Sequence, residues 1–151
     1  MRLVIGCDNA AVALKEALSA FLKDKGVELE DVGVASSSDE TPYPEVAARL
    51  AKSIIDSGYS KKGILVCGTG IGMAITANKF PGIYATPVHD SYSAERSCLS
   101  NDANVITMGA RVIGVELAKK LVGEWLPLKF VPGRSSSKLE AIKKIERENF
   151  K

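Results

Sequence analysis

At 151 residues the chain has the length of one ordinary domain, which buries roughly 70% of the surface its unfolded form exposes. It is 46% hydrophobic and 25% charged, and Lys+Arg 20 against Asp+Glu 18 leaves a net charge of +2. That composition excludes disordered and fibrous chains and argues against a polybasic nucleic-acid or membrane-surface protein, while small anionic ligands stay compatible with it.

Leu3-Val4-Ile5 is a short apolar run that stops at Gly6-Cys7-Asp8-Asn9, too short for a signal-peptide core. No apolar run approaches the ~18 residues of a membrane span. Apolar residues then recur at helical spacing from Ala10 to Leu22, predicting a helix over 10–25 closed by Gly26. Asp8 stands where a helix N-cap is expected, and that role competes evenly with ligand contact. Val27 to Val32 alternates apolar and acidic residues, as a half-exposed strand does. The serine-rich stretch around 35–42 is a loop, and Pro42 and Pro44 open a second helix that runs to Asp56-Ser57-Gly58.

The unit repeats. Gly63 to Cys67 is an apolar strand, and Ile71 to Lys79 is helical. After the Pro81-Gly82 turn come a strand over 83–88 and a helix over 91–99. A fifth strand over 104–108 and an amphipathic helix over 115–126 complete the pattern. Strands alternating with helices predict an α/β fold: a single αβα sandwich with a five-stranded, parallel, Rossmann-like sheet. One domain over 1–151 is expected, with its core in 1–132. Residues 133–151 carry an extra, charged C-terminal helix over 136–149 that either caps the sheet or reaches a partner subunit.

In such a sheet, ligands bind beyond the carboxyl ends of the strands. That rule selects Cys7-Asp8-Asn9, Cys67 to Gly72, His89-Asp90 and Gly109-Ala110-Arg111. Cys67-Gly68-Thr69-Gly70-Ile71-Gly72 is the sharpest of these. Three alternate glycines between a strand and a helix expose consecutive N–H groups, which form an anion cradle beside a thiol whose thiolate they stabilise. A P-loop would need a lysine after the glycines, a dinucleotide fingerprint would need Gly at 73, and a phosphatase loop would need Arg there. Met73 meets none of these demands. A plain tight turn with Cys67 buried is the competing reading, and three alternate glycines beside a thiol favour function over it. Cys7 and Cys98 read as packing residues. Three cysteines without CxxC spacing and one histidine support neither a disulfide framework nor a metal site. The expectation is a soluble, reduced, cytoplasmic protein. Arg134 and Lys138 are either phosphate ligands or solvated, and pattern alone favours the second.

The chain resembles ribose-5-phosphate isomerase B and the related galactose-6-phosphate isomerase subunits almost from end to end. The resemblance rests on Gly6-Cys7-Asp8, Tyr43-Pro44, Gly63 to Gly72, Ala77-Asn78-Lys79, Asn101-Asp102-Ala103-Asn104, Met108 to Gly114 and Gly133-Arg134. It implies aldose–ketose isomerisation of a sugar phosphate without metal or organic cofactor, in a homodimer or homotetramer with shared active sites. By the same resemblance, Cys67 is the base that moves a proton between C1 and C2 and Thr69 relays a hydroxyl proton. Amides of Gly68, Gly70, Ile71 and Gly72 hold the enediolate. Asp8, Asn9, Tyr43, Ser100 and Asn101 contact the sugar, while Arg111, Arg134 and Lys138 hold phosphate.

Departures from the family bear on the substrate. The family's pentose enzymes have histidines where Asn9 and Ser100 stand here, the second of them thought to open the furanose ring. A tetrose 4-phosphate cannot close that ring, because the oxygen needed carries the phosphate. The preferred expectation is therefore a D-erythrose 4-phosphate/erythrulose phosphate isomerase, with His89 handling protons at the substrate oxygens. The segment His89 to Asn101 also resembles the erythritol-catabolism branch. Ribose-5-phosphate isomerisation is the alternative, and a non-catalytic sugar-phosphate-binding subunit of a heteromer is a third reading.

Overall fold

The structure is a computed structural model and describes residues 1–150. Along the chain, β1 (Arg2–Cys7), α1 (Val12–Asp24), β2 (Glu28–Asp31), α2 (Tyr43–Asp56) and β3 (Lys62–Cys67) form the first half. The second half is α3 (Ile71–Ala77), β4 (Ala85–Pro87), α4 (Ser91–Leu99), β5 (Val105–Gly109), α5 (Val115–Trp125) and α6 (Ser136–Asn149). The strands form one parallel sheet in the order β2-β1-β3-β5-β4. This is the α/β sheet expected from the alternating pattern.

Parallel strands need helical crossovers, and right-handed crossovers place helices on both faces. Here α2 and α3 pack together over one face, while α1, α5 and α4 pack over the other. β1, β3 and β5 are consequently buried on both sides, which is why they read as unbroken apolar runs. From β1 the chain steps outward to β2 and returns to lay β3 on the opposite side of β1. That reversal opens a crevice at the carboxyl ends of the central strands.

The edges are handled by side chains. β2 is exposed and acidic, and its Glu30 is held by Lys61 at 2.8 Å and by Ser53 at 2.7 Å. β4 is shorter than the 83–88 strand expected. Asn104 replaces part of the ladder there: its Oδ1 accepts from the Tyr84 amide at 2.8 Å and its Nδ2 donates to the Gly82 carbonyl at 2.8 Å. On the open side of β4, the Asn78 side chain exchanges two hydrogen bonds with Ala85, at 2.8 and 2.9 Å. An edge strand paired in this way offers little backbone to another sheet.

α6 docks beside β4. Leu139 is buried, and Glu146 accepts from Tyr84 Oη at 3.1 Å and from the Gly82 amide at 3.3 Å. Burial, and then the Glu146 carboxylate, push the Tyr84 phenol up to about 12, so this bond keeps its proton at any ordinary pH. Ile142 and Ile145 on the same helix remain exposed.

Candidate active site

The Cys67–Gly72 loop leaves β3 at the middle of the sheet and turns directly into α3. Gly70 makes the turn with φ +78°, and a Cβ there would lie 2.9 Å from the Met108 backbone. Gly109 closes β5 against the same loop, since a Cβ on it would lie 2.6 Å from Thr69 Cα. The loop is thus clamped between two backbones that only glycine allows to approach.

Within the loop, the Gly70 amide donates to Cys67 Sγ at 3.1 Å, and the residue is 5% exposed. The Ile71 amide donates to Thr69 Oγ1 at 3.3 Å. Of the amides expected to hold the enediolate, those of Gly70 and Ile71 are engaged within the loop itself. The remaining amides, of Gly68, Thr69 and Gly72, are the ones left for a ligand. Arg111 donates its own amide to the Gly68 carbonyl at 3.0 Å, and its guanidinium lies over Gly68. The Tyr43 ring packs onto Gly72.

Sequence reasoning missed the residue beneath the loop. Thr107 is fully buried in β5, and its Oγ1 donates to the Gly70 carbonyl at 2.7 Å. A polar residue inside an otherwise apolar strand was the available signal, because a buried hydroxyl must find a partner.

Asp8 and Asn9 sit at the end of β1, next to β3. Asp8 Oδ1 accepts from the Ala10 amide at 3.0 Å, while Ala11 occupies the N-cap of α1. The capping reading of Asp8 is therefore corrected: its carboxylate orders the turn ahead of the helix and does not cap it. Cys7 is fully buried, and burial pushes its thiol up to about 11, which leaves it inert. Cys98 is buried within α4.

His89 lies at the end of β4, beyond β5 from Cys67. Its Nε2 accepts from the Gly109 amide at 2.9 Å, and burial holds its pKa below the ordinary value against the pull of Asp90. The nitrogen that could take up a proton is thus engaged by the Gly109 amide.

Ser100, Asn101, Arg134 and Lys138 are not part of this cluster. Asn101 precedes β5, so the length of that strand, about 16 Å for five residues, separates it from the Cys67 end. Leu139 and Lys143 of α6 share a cavity of about 30 Å³ with Asn101 and Asp102, placing the amino end of α6 at that same far end of the sheet. Beside it, Arg96 Nη1 donates to Ser100 Oγ at 3.2 Å, and both Arg96 and Asn101 line a groove of about 370 Å³. The expected site residues of one chain thus fall into two groups, at opposite ends of its sheet. Among the described residues, no cluster of acidic, histidine and cysteine side chains could hold a metal, and no helix is long and apolar enough to cross a membrane.

A family model described as ribose/galactose isomerase matches residues 3–142. The chain belongs to that family. It is 46% identical to ribose-5-phosphate isomerase B of Listeria innocua over 149 residues, 99% of each chain. It is equally 46% identical to a D-erythrulose-4-phosphate isomerase of Pectobacterium atrosepticum, over 98% of this chain and 97% of that one. Ribose-5-phosphate isomerase B of Clostridium thermocellum superposes with a TM-score of 0.92 at 36% identity, over 98% of this chain and 99% of that one. The resemblance read from the motifs stands, and so does the isomerase class.

Proposed function

We propose that the protein interconverts an aldose and a ketose phosphate through a cis-enediolate, with Cys67 as the carbon base. The observation that carries this reading is the Gly70 amide on Cys67 Sγ, at the head of a loop with free amides beside it. The thiolate takes the proton from C2 of the aldose, and the electron pair moves into a C1–C2 double bond. The carbonyl oxygen then bears the charge, next to the amides of Gly68, Thr69 and Gly72. Returning that proton to C1, while the C2 hydroxyl proton passes to the C1 oxygen, yields the ketose. Thr69, whose hydroxyl lies on the exposed rim, is suited to move the hydroxyl proton. In this reading Asp8, Asn9 and Tyr43 contact the sugar, and Arg111 holds charge over Gly68.

The second half-site has to come from another copy. Asn101 and Ser100, with Arg134 and Lys138 for the phosphate, would meet the Cys67 loop of a partner in a two-fold dimer, giving two shared sites. Ile71 and Ile75 beside the loop, and Ile142 and Ile145 on α6, are exposed apolar side chains suited to that contact.

We further infer a four-carbon substrate, D-erythrose 4-phosphate and the corresponding erythrulose phosphate. Ser100 meets Arg96 and not an acid, and the one imidazole is engaged at Gly109, so no evident group opens a furanose. Relatives named for the pentose and for the tetrose are equally similar, so chemistry and not identity argues the choice. The test is NMR in D2O with D-erythrose 4-phosphate and ribose 5-phosphate in parallel. Preferred turnover of the tetrose, with deuterium entering at C1 or C2, is expected. Comparable or better turnover of the pentose overturns the four-carbon assignment.

A further inference from the structure

The ring of His89 has one partner of defined geometry, and that partner belongs to the loop machinery. Gly109 pairs with Cys67 in the β3–β5 register and presses on Thr69 Cα. Its amide, at the last residue of β5, donates to His89 Nε2 at 2.9 Å. An imidazole nitrogen that accepts an N–H must be unprotonated, so the neutral ring carries its hydrogen on Nδ1. The neighbouring carboxylate is turned to its own helix: Asp90 caps α4, with Oδ1 accepting from the Ser93 amide at 2.7 Å and Oδ2 from Ser93 Oγ at 2.7 Å. Asp90 is also the one charged group whose field bears on the ring, and burial outweighs it.

We propose that His89 is a positioning residue, a fixed Nδ1–H imidazole that holds Gly109 and, through Gly109, the Cys67–Gly72 loop. The proposal rests on the isomerase reading of that loop but assigns His89 no proton transfer. Adding a proton to Nε2 would set two N–H groups against each other and release the end of β5. An amide of the same reach should serve equally well. Gln at 89 offers Oε1 near the position of Nε2, whereas Asn is one methylene too short.

Two measurements test this. Imidazole ¹⁵N–¹H correlation spectra of the intact protein at pH 7.5 should show a pyrrole-type Nδ1 and a pyridine-type Nε2. A protonated Nε2 overturns the proposal whether or not the protein turns over any sugar. In the second, His89→Ala should lower kcat roughly tenfold with little change in KM, the scale of one lost hydrogen bond. His89→Gln should recover most of that loss, and His89→Asn should not. Gln as inactive as Ala in a folded protein, or Ala as active as the parent, overturns the proposal. Lack of activity by the parent toward both the tetrose and the pentose would instead count against the isomerase reading, leaving the tautomer to decide the role of His89.

Discussion

Cys7 and Cys67 end adjacent buried strands, yet their surroundings make them different reagents. Cys67 receives the Gly70 amide, whereas Cys7 Sγ is directed at the Val34 carbonyl at 3.6 Å and is fully buried. Iodoacetamide at pH 8 should therefore label Cys67 alone, read by peptide mass spectrometry; an adduct on Cys7 or Cys98 in the folded protein would contradict this. Cys67→Ala should reduce kcat by about 10²–10⁴, the range for losing a positioned base, while the thermal midpoint barely moves. Cys7 instead governs alkaline stability. Its unfolded thiol titrates at 9.0 and its folded thiol at about 11, so the stability it contributes is complete below pH 9 and is lost as pH rises through that window. Lys15 adds to this at higher pH. Burial works against its charge, but hydrogen bonds to Asp31 at 2.6 Å and to Glu16 at 2.8 Å prevail and raise it above 10.5, so its contribution fades only above that value. A thermal midpoint that falls from pH 9 upward is expected, with the first part of the slope absent in Cys7→Ala.

Among the elements, β5 is the one on which the site depends. It supplies Thr107 under Gly70, Met108 against the turn, and Gly109 against Thr69. Thr107→Val should cost about 1 kcal/mol in urea unfolding, since it removes one buried hydrogen bond while keeping volume. It should also slow turnover more than it weakens substrate binding, because the loop and not the sugar contact is loosened. An unchanged kcat in Thr107→Val would show that the loop holds its shape without β5. Much of this level was legible beforehand. The predicted bounds of α4 and α6 coincide with those observed, because the capping Asp90 ahead of α4 and the strand-breaking Pro132-Gly133 ahead of α6 are local signals. The strand predicted over 83–88 was too long for a tertiary reason. Asn104, twenty residues away, satisfies the backbone around Tyr84, and no pattern within 83–88 shows that.

On the scale of the molecule, the main consequence is the separation of Asn101 from Cys67 along β5. If two copies complete each other, a Cys67→Ala protein and an Asn101→Ala protein should each be nearly inactive. Mixed and allowed to exchange subunits, they should regain about one quarter of the parent activity, because half of the dimers would be hybrids with one intact site of two. No recovery after demonstrated exchange would mean that Asn101 and Cys67 do not share a site.

The alternation of strand and helix, the glycines around Cys67 and the exclusion of P-loop and dinucleotide chemistry are properties of neighbouring residues. The sequence by itself was therefore enough to establish them, together with the family. Strand order, the occupied Nε2 of His89, the hydroxyl of Thr107 beneath the loop and the distance from Asn101 to Cys67 depend on residues far apart in the chain. Only the tertiary structure decided those, because a hydrogen bond is set by where two groups meet in space and not by how either one appears in its own segment.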